Sequence, residues 1–244
     1  MNFSCEKAVL CEAVNNVSPA VSAKSTLMAL ECVLLRCKSG RLTVIGYNLE
    51  LGITKEIEVD SREDGEIILN ARLFGEIINR MPAGTLSLTT DDKLLTIIRS
   101  GGAQFTILGM SAEEYPEIPV ISEERSFRLP AETLRSMISQ TLFAVSQDAA
   151  TPVLTGTLFE IKNEVLYLVS VDGCRLALRK ESVSCPENFK FVAPGRTLSE
   201  LLKLIGKFSD GEDREVLLKL GSKHIVFECG GYTILSRLLE GDFI

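Results

Sequence analysis

The sequence predicts an α+β fold made of tandem, pseudo-symmetric domains, each with two helices packed on antiparallel sheets. Two observations lead to this prediction. A short strand, an amphipathic helix and three strand-like runs follow one another four times along the 244 residues. The runs are joined by short polar turns, so that consecutive strands must pair antiparallel. The order therefore argues against a parallel βαβ nucleotide-binding fold.

The repeat is visible as self-similarity at a fixed offset, which is the first pattern to look for in a chain of this length. Residues 71–78 (ARLFGEII) align with residues 195–202 (GRTLSELL), matching Arg with Arg, Glu with Glu and two aliphatic residues with two aliphatic residues. Residues 115–125, rich in Pro and Glu, lie between the two copies and are typical of a linker. We predict two domains, residues 1–122 and residues 123–244.

The first domain contains two copies of the strand, helix and three-strand order. Its helices are predicted over residues 6–17 and 71–81, each directly after a short strand. Polar and glycine-containing turns bound the strands. The strands predicted in this domain are residues 2–5, 30–37, 42–47, 52–59, 65–70, 85–89, 94–98 and 104–108.

In the second domain, helices are predicted over residues 131–146 and 196–208. Apolar residues recur along them every three or four positions, so each helix has one apolar stripe for a sheet. Together the four helices carry a net charge of +2, whereas the whole chain carries −7. An acidic chain with neutral to basic helices suggests a polyanion bound on the helical side. The alternative is a set of solvated helix faces with ordinary ion pairs.

Composition and charge argue against several classes of protein. The longest run without a charged residue, residues 100–112, is interrupted by glycines and falls short of the ~20 apolar residues that a membrane helix needs. No signal peptide is apparent at the N-terminus. Seven cysteines without a C-x-x-C pair indicate free thiols, so we expect a cytoplasmic protein with no metal site.

Catalysis has little support in the sequence. The single histidine, His224, could be written into a hydrolase dyad with Cys229, but no nearby segment resembles an oxyanion turn. No glycine-rich phosphate loop and no H-E-x-x-H motif occurs. We therefore predict no catalytic residues and no cofactor.

Several segments together resemble the bacterial DNA sliding clamp, the beta subunit of DNA polymerase III. The resemblance covers the whole chain, and its most specific element is residues 171–177 (VDGCRLA), which are close to the family's Asp-Gly-His-Arg-Leu-Ala. The other segments, in order, are residues 2–5 (NFSC), 26–27 (TL), 69–78 (LNARLFGEII), 99–101 (RSG), 114–119 (EYPEIP), 147–148 (QD) and 156–160 (GTLFE).

The resemblance implies a DNA clamp fold and a non-enzymatic processivity factor. In this family, a three-domain protomer dimerises head to tail into a ring, with helices around duplex DNA and sheets on the outside. The ring tethers the replicative polymerase. A third clamp domain is absent from this chain, so we expect a homodimer at full length and a monomer or weakly associating species as this two-domain fragment.

The resemblance also implies three sets of site residues. Those expected to face double-stranded DNA without sequence preference are Lys24, Arg72, Arg80, Arg135, Gln147, Arg196 and Lys203. Those expected in a cleft for a short peptide of polymerase and clamp-loader subunits are Leu154, Val171, Gly173, Cys174, Arg175, Leu176 and Ile244. Those expected at the ring interface are Leu73, Ile77, Met81, Gln104, Phe105 and Ile107.

Other interpretations of these residues stay open at this stage. The cations could be ordinary surface charges, and Leu154 and Leu176 could be core residues of strands. Cys174 stands where the family usually has His. A ligand-sized apolar pocket with converging polar groups would favour a two-repeat enzyme or ligand-binding protein on the same fold. Failure to bind duplex DNA would favour a protein-interaction scaffold.

Overall fold

The computed structural model describes residues 1–121, 125–185, 187–207 and 215–243. The chain divides into two units, Met1–Pro119 and Val120–Ile244, and the division falls in the segment predicted as a linker. Within the described residues each unit has two helices and antiparallel strands. The predicted α+β class is confirmed.

Unit 1 has the predicted order twice, with one additional strand. Its strands pair antiparallel in two sets, β5-β1-β7-β8-β9 and β4-β3-β2-β6. The elements are β1 (Asn2–Glu6), α1 (Lys7–Val17), β2 (Cys32–Lys38), β3 (Arg41–Tyr47), β4 (Leu51–Glu58), β5 (Asp60–Glu63), β6 (Gly65–Asn70), α2 (Ala71–Arg80), β7 (Thr85–Thr90), β8 (Leu95–Ser100) and β9 (Ala103–Leu108).

Strand β5 was not predicted because its sequence, Asp-Ser-Arg-Glu, has neither apolar alternation nor β-branched residues. It pairs with β1 at an edge of the sheet, and Asn2 lies opposite Glu63 in the register. Backbone pairing with β1, a bond from the Cys37 thiol to the Ser61 hydroxyl (3.3 Å) and an ion pair of Glu63 with the N-terminal ammonium hold this strand, and sequence patterns do not report such contacts.

Unit 2 repeats the same order with antiparallel sets β13-β12-β11-β14 and β10-β15-β16-β17. Its elements are β10 (Arg125–Pro130), α3 (Ala131–Ser139), β11 (Gly156–Lys162), β12 (Val165–Val171), β13 (Leu176–Ser182), β14 (Phe189–Pro194), α4 (Gly195–Ile205), β15 (Glu215–Leu220), β16 (His224–Cys229) and β17 (Tyr232–Arg237). Short 3-10 turns lie at Ser18–Ala20, Met28–Glu31, Ala112–Glu114, Leu142–Ala144 and Pro152–Thr155.

The prediction of one helix over residues 131–146 was wrong at its C-terminal end. Helix α3 stops at Ser139: the Thr141 N–H donates to the Ile138 carbonyl oxygen (3.1 Å), three residues back, and the buried Thr141 hydroxyl donates to the carbonyl oxygens of Met137 (2.9 Å) and Ile138 (3.3 Å). Such a side-chain bond offers the last turn an alternative to further helical bonding. The predicted end of the last helix, residue 208, lies outside the described residues; α4 is described to Ile205.

Helix α2 shows how the sequence sets the orientation of a helix on its sheet. The Asn70 side chain at the end of β6 accepts a hydrogen bond from the Leu73 N–H (3.0 Å), which caps the helix. Phe74 and Ile78 then point into the core with no exposed surface. Arg72, Glu76 and Arg80, on the opposite side of the helix, are exposed to solvent. The polar stripe is therefore directed away from the sheet.

Two glycines of unit 1 differ in the space that a side chain would have at their positions. A Cβ at Gly46 in β3 would lie 2.3 Å from the carbonyl oxygen of Val17 at the end of α1. A Cβ at Gly75 in α2 would meet no atom within 4 Å. The helix end can approach the strand at the first position only because a side chain is missing there.

We expect Gly46→Ala to lower the free energy of unfolding by about 2 kcal/mol or more, because the new methyl group overlaps backbone atoms. The matched variant Gly75→Ala should raise it by about 0.5–1 kcal/mol, because alanine favours the helix and has space. Urea unfolding followed by circular dichroism measures both. Equal stability of Gly46→Ala and the parent chain would contradict this packing.

Candidate functional site

The exposed sides of the helices carry most of the residues expected to face DNA. In unit 1 helix α1 packs beside α2, and in unit 2 helix α3 packs beside α4. Arg72 and Arg80 on α2, Arg135 on α3, and Arg196 and Lys203 on α4 are all exposed. The structure thus places these five cations on the solvent side of the helices within their own units.

The remaining two candidates for DNA contact lie outside the helices. Lys24 is exposed in the segment between two 3-10 turns of unit 1, and Gln147 is exposed after the 3-10 turn that follows α3. Leu27 and Met28, close to Lys24 in sequence, are 57% and 71% exposed. Neither was among the predicted site residues, although Leu27 belongs to one of the segments that resemble the family.

Three of the helical cations form ion pairs with a carboxylate of their own helix. Each pair joins residues three or four positions apart, so both side chains lie on one side of the helix. The nitrogen–oxygen pairs are Arg72 with Glu76 (3.2 Å), Arg135 with Glu132 (3.1 Å) and Lys203 with Glu200 (2.7 Å).

A groove of about 530 Å³ lies between α3 and α4 in unit 2. Three cations and one carboxylate line it, together with two serine hydroxyls. The lining residues are Glu132, Arg135, Ser136, Ser139, Leu202, Lys203, Gly206 and Lys207. The excess of positive charge in a concave surface favours an anion there. The site residues predicted from sequence included Arg135 and Lys203 but neither Lys207 nor the serines.

Side-chain amides connect α1 to α2 on the exposed side of unit 1. Asn15 and Asn79 exchange two hydrogen bonds, each 3.2 Å from nitrogen to oxygen. The Cys11 thiol donates to the same Asn79 carbonyl oxygen (2.8 Å), and the Lys7 ammonium donates to the Asn79 backbone carbonyl (3.2 Å). These bonds, of which only that of Lys7 involves a charged group, connect the two helices side by side.

The turn that carries the most specific sequence motif is organised by Asp172. One carboxylate oxygen accepts the backbone N–H groups of Cys174 and Arg175 (3.1 Å each), and the other accepts the Arg175 guanidinium Nε–H (2.7 Å). Gly173 has a φ of +87°, a conformation that favours glycine. The Cys174 N–H, followed by the bonds and charge of Arg175, lowers the pKa of Asp172.

The lowered pKa of Asp172 has a definite consequence for the turn. Its charged form stabilises the folded turn at pH values above the ordinary pKa of 3.8. That contribution is lost as the pH falls through the lower folded-state pKa. Near neutral pH Asp172 is charged, and its hydrogen bonds stabilise the turn and orient the Arg175 side chain.

Arg175 also contacts an aromatic ring from a distant part of the sequence. Its guanidinium carbon lies 5.7 Å from the ring centroid of Phe143, which is 60% exposed. This is within the range of a cation–π interaction. Leu176 is 64% exposed on β13, which is an edge strand of its set. Cys174 is exposed as a free thiol.

The apolar part of the expected peptide cleft lies on a small core cluster in unit 2. Leu154 and Val171 are half-buried and pack against it, so the structure brings these two predicted residues to one cluster. Ile244 lies outside the described residues. The cluster consists of Leu158, Val192 and Phe243, with Val153, Leu154, Val169, Val171 and Leu239 packed on it.

Comparison with known proteins identifies the family. Residues 1–119 match the model of the DNA polymerase III beta subunit, N-terminal domain, and residues 128–244 match the model of its central domain. The chain belongs to the DNA polymerase III beta subunit family. The family resemblance seen in the sequence is confirmed.

Individual clamps are similar over the whole of this chain. It is 33% identical to the beta sliding clamp of Bacillus subtilis strain 168. Among solved structures, a putative DNA polymerase III beta subunit from Eubacterium rectale has a TM-score of 0.93 at 34% identity. The DNA polymerase sliding clamp of Bacillus subtilis has a TM-score of 0.94 at 31% identity. The chain spans 66% of the length of each, and the predicted clamp fold is confirmed.

The residues expected at the ring interface of a clamp fall into two groups in unit 1. Leu73 on α2 and Gln104 and Phe105 on β9 are exposed, and β9 is an edge strand. The side chains of Ile77, Met81 and Ile107 are buried, at 7%, 4% and 9% exposure, so they belong to the core of unit 1 and offer little surface to a neighbouring protomer. Leu108 on the same strand is 71% exposed and was not among the predicted residues.

The two residues of the hydrolase dyad considered from the sequence do not come together among the described residues. His224 and Cys229 lie at opposite ends of β16 and, five residues apart, point to opposite faces of it. Burial, with the charges of Arg237 and Lys223, lowers the pKa of His224. Burial also raises the thiol pKa of Cys5 and Cys32 to about 11, which suppresses their nucleophilic form.

Two further observations concern the described residues as a set. They contain no group of three or more His, Cys, Asp or Glu side chains arranged to hold a metal ion. None of their helices has both the length and the apolar character needed to cross a membrane.

Proposed function

We propose that this chain is part of a DNA polymerase processivity factor, a sliding clamp that acts in the cytoplasm and has no catalytic activity of its own. The full-length protein would close head to tail as a homodimeric ring around duplex DNA and tether the replicative polymerase. The observation that carries the proposal is the exposed cationic side of the helices, present in both units of a chain that belongs to the beta subunit family.

The chemistry of that helical side suits a surface that moves along DNA. Arg and Lys side chains reach phosphates, and phosphate contacts position a protein on DNA without reading its sequence. Several of these cations are already paired with carboxylates, so the net attraction stays modest. In a closed ring, retention on DNA would come from topology, and tight phosphate binding would only impede movement.

We expect the isolated chain to bind any short DNA duplex weakly, at the weak end of the range of about 10⁻⁴–10⁻⁶ M for non-specific binding. Changing Arg196 and Lys203 on α4 to Ala should weaken binding several-fold and reduce its salt dependence, because two phosphate contacts are lost. The matched control changes Arg128 on β10 and Arg179 on β13, which pair with carboxylates on strands. Fluorescence anisotropy with two unrelated duplexes over a salt series measures both.

The control variant should bind DNA like the parent chain. Sequence-specific binding that is insensitive to salt would contradict the clamp mechanism. It would instead indicate a different function on the same fold.

We also propose that polymerase and clamp-loader subunits bind the cleft of unit 2 through a short peptide. The support is geometric. Leu154 and Val171 offer apolar surface on one cluster, and the Asp172 turn presents Arg175 beside the exposed ring of Phe143. An apolar peptide side chain could cover the cluster while Arg175 meets a carboxylate or carbonyl of the peptide.

A clamp-binding peptide should shift the NMR signals of Leu154 and residues 171–176 before any others. Arg175→Ala should weaken its binding, because the variant removes both the cation and the contact with Phe143. Arg179→Ala, which removes a cation four residues beyond Arg175, serves as the control and should bind normally. Shifts that map to the helical side would overturn the assignment of the cleft.

For ring closure, we propose the exposed part of the predicted interface. Leu73, Gln104 and Phe105 would contact the neighbouring protomer, together with Leu108 on the same edge strand. Strand β9, residues 103–108, carries no charged residue, and an edge of this kind readily pairs with another strand. Closure would therefore rest on apolar contact and backbone pairing.

A further inference from the structure

We propose that Glu76, Glu132 and Glu200 lower the affinity of the helical side for DNA. Each would compete with DNA phosphates for the cation with which it is paired. This inference rests on the proposed function, because it concerns the same helical surface. It assigns a role to the carboxylates, whereas the DNA-contact candidates themselves are cations and one amide. The three carboxylates act as affinity-setting residues that do not themselves touch DNA.

The geometry provides one competitor for each of three cations, on three different helices. Arg72 on α2, Arg135 on α3 and Lys203 on α4 each hold a carboxylate oxygen within 3.2 Å. To bind a phosphate, each cation must either leave its carboxylate or share it. The carboxylate left beside the phosphate then repels it. A phosphate contact at these positions is therefore an exchange of partners and gains little net free energy.

The exchange is possible because the cation of each pair is exposed, and in the Arg72 and Arg135 pairs the carboxylate is exposed as well. The Arg72 side chain is 90% exposed and that of Lys203 is 62% exposed, so water and ions reach both. Exposed pairs of this kind contribute little to stability, and a phosphate can displace the carboxylate without unfolding the helix. Contacts that form and break at similar free energy suit a surface that moves from phosphate to phosphate.

The groove of unit 2 brings two of these pairs to one place. Arg135, its partner Glu132 and Lys203 all line it. The Glu200 side chain is only 13% exposed and bonds to the Lys203 ammonium (2.7 Å). A phosphate in the groove would meet both cations and would compete with both carboxylates. The effect of removing the carboxylates should therefore be largest here.

The chain also supplies a matched control. Three other carboxylates form ion pairs with cations on strands, one in unit 1 and two in unit 2, the same distribution as the helical set. These pairs are Glu66 with Arg36, Glu215 with Arg128 and Glu228 with Lys219. Changing them to Gln alters the net charge of the chain by the same amount but leaves the helices unaltered.

The test compares the parent chain with the triple variant Glu76→Gln, Glu132→Gln, Glu200→Gln and with the control triple variant Glu66→Gln, Glu215→Gln, Glu228→Gln. Binding to a short fluorescent duplex is measured by anisotropy over a salt series. The helical triple variant should bind about tenfold more tightly, since three weak pairs no longer oppose binding. Its logarithmic salt dependence should steepen by up to about 0.9 for each freed cation. The control should change affinity by less than half as much on a logarithmic scale.

Three results would overturn the inference. Unchanged affinity of the helical triple variant would show that the carboxylates do not compete. An equal gain in the control would show an effect of net charge alone. Absence of binding by the parent chain and all variants at low salt would refute the proposed function itself. The first two results would leave that function intact, because they concern only the role of the glutamates. If the triple variant folds poorly, the double variant Glu76→Gln, Glu132→Gln should still bind more tightly than the parent chain.

Discussion

Each helix buries one apolar stripe on its sheet, and this burial sets the direction of the polar side chains on the helix. Leu198 and Leu201 of α4 have no exposed surface, and a fully buried leucine contributes roughly 1.5–3 kcal/mol. Once that stripe lies on the sheet, residues on the opposite side of the helix must face solvent. The positions of Arg196 and Lys203 follow from this packing. Because the apolar stripe fixes the rotation of the helix on its sheet, the cations of the opposite stripe are directed to solvent.

The same register decides how the cations are paired. Residues three or four positions apart share a side of a helix, so a carboxylate at that spacing on the polar stripe lies beside the cation. The result in α2, α3 and α4 is an exposed surface whose charges are partly balanced within each helix. A chain with a net charge of −7 can thus present a surface that attracts DNA weakly and releases it easily.

Most of the fold could be predicted because each signal is local. The period of the apolar residues marks α2 and α4, each directly after a short strand. The features that were missed depend on contacts that a pattern does not contain. At the end of α3 the Thr141 N–H and hydroxyl bond back to carbonyl groups of the last turn, and β5 is held by backbone pairing with β1.

The site could be predicted only in part, for a similar reason. Exposed cations at helical spacing can be read from the sequence, whereas the contact between Arg175 and Phe143 joins positions far apart in the chain. Apolar residues are ambiguous in a different way. Ile77 and Phe105 are both apolar, but only the structure shows that the first is buried and the second is 46% exposed. Sequence alone cannot separate core from interface at such positions.

If duplex DNA lies against the helical side of both units, chemical-shift mapping of the chain with a short duplex of arbitrary sequence will show where it binds. We expect shifts at the exposed positions of α1 to α4 and in the segments around Lys24 and Gln147, all fading together as salt is raised. Shifts centred on the strands, with the helices unperturbed, would show that DNA does not bind the helical side.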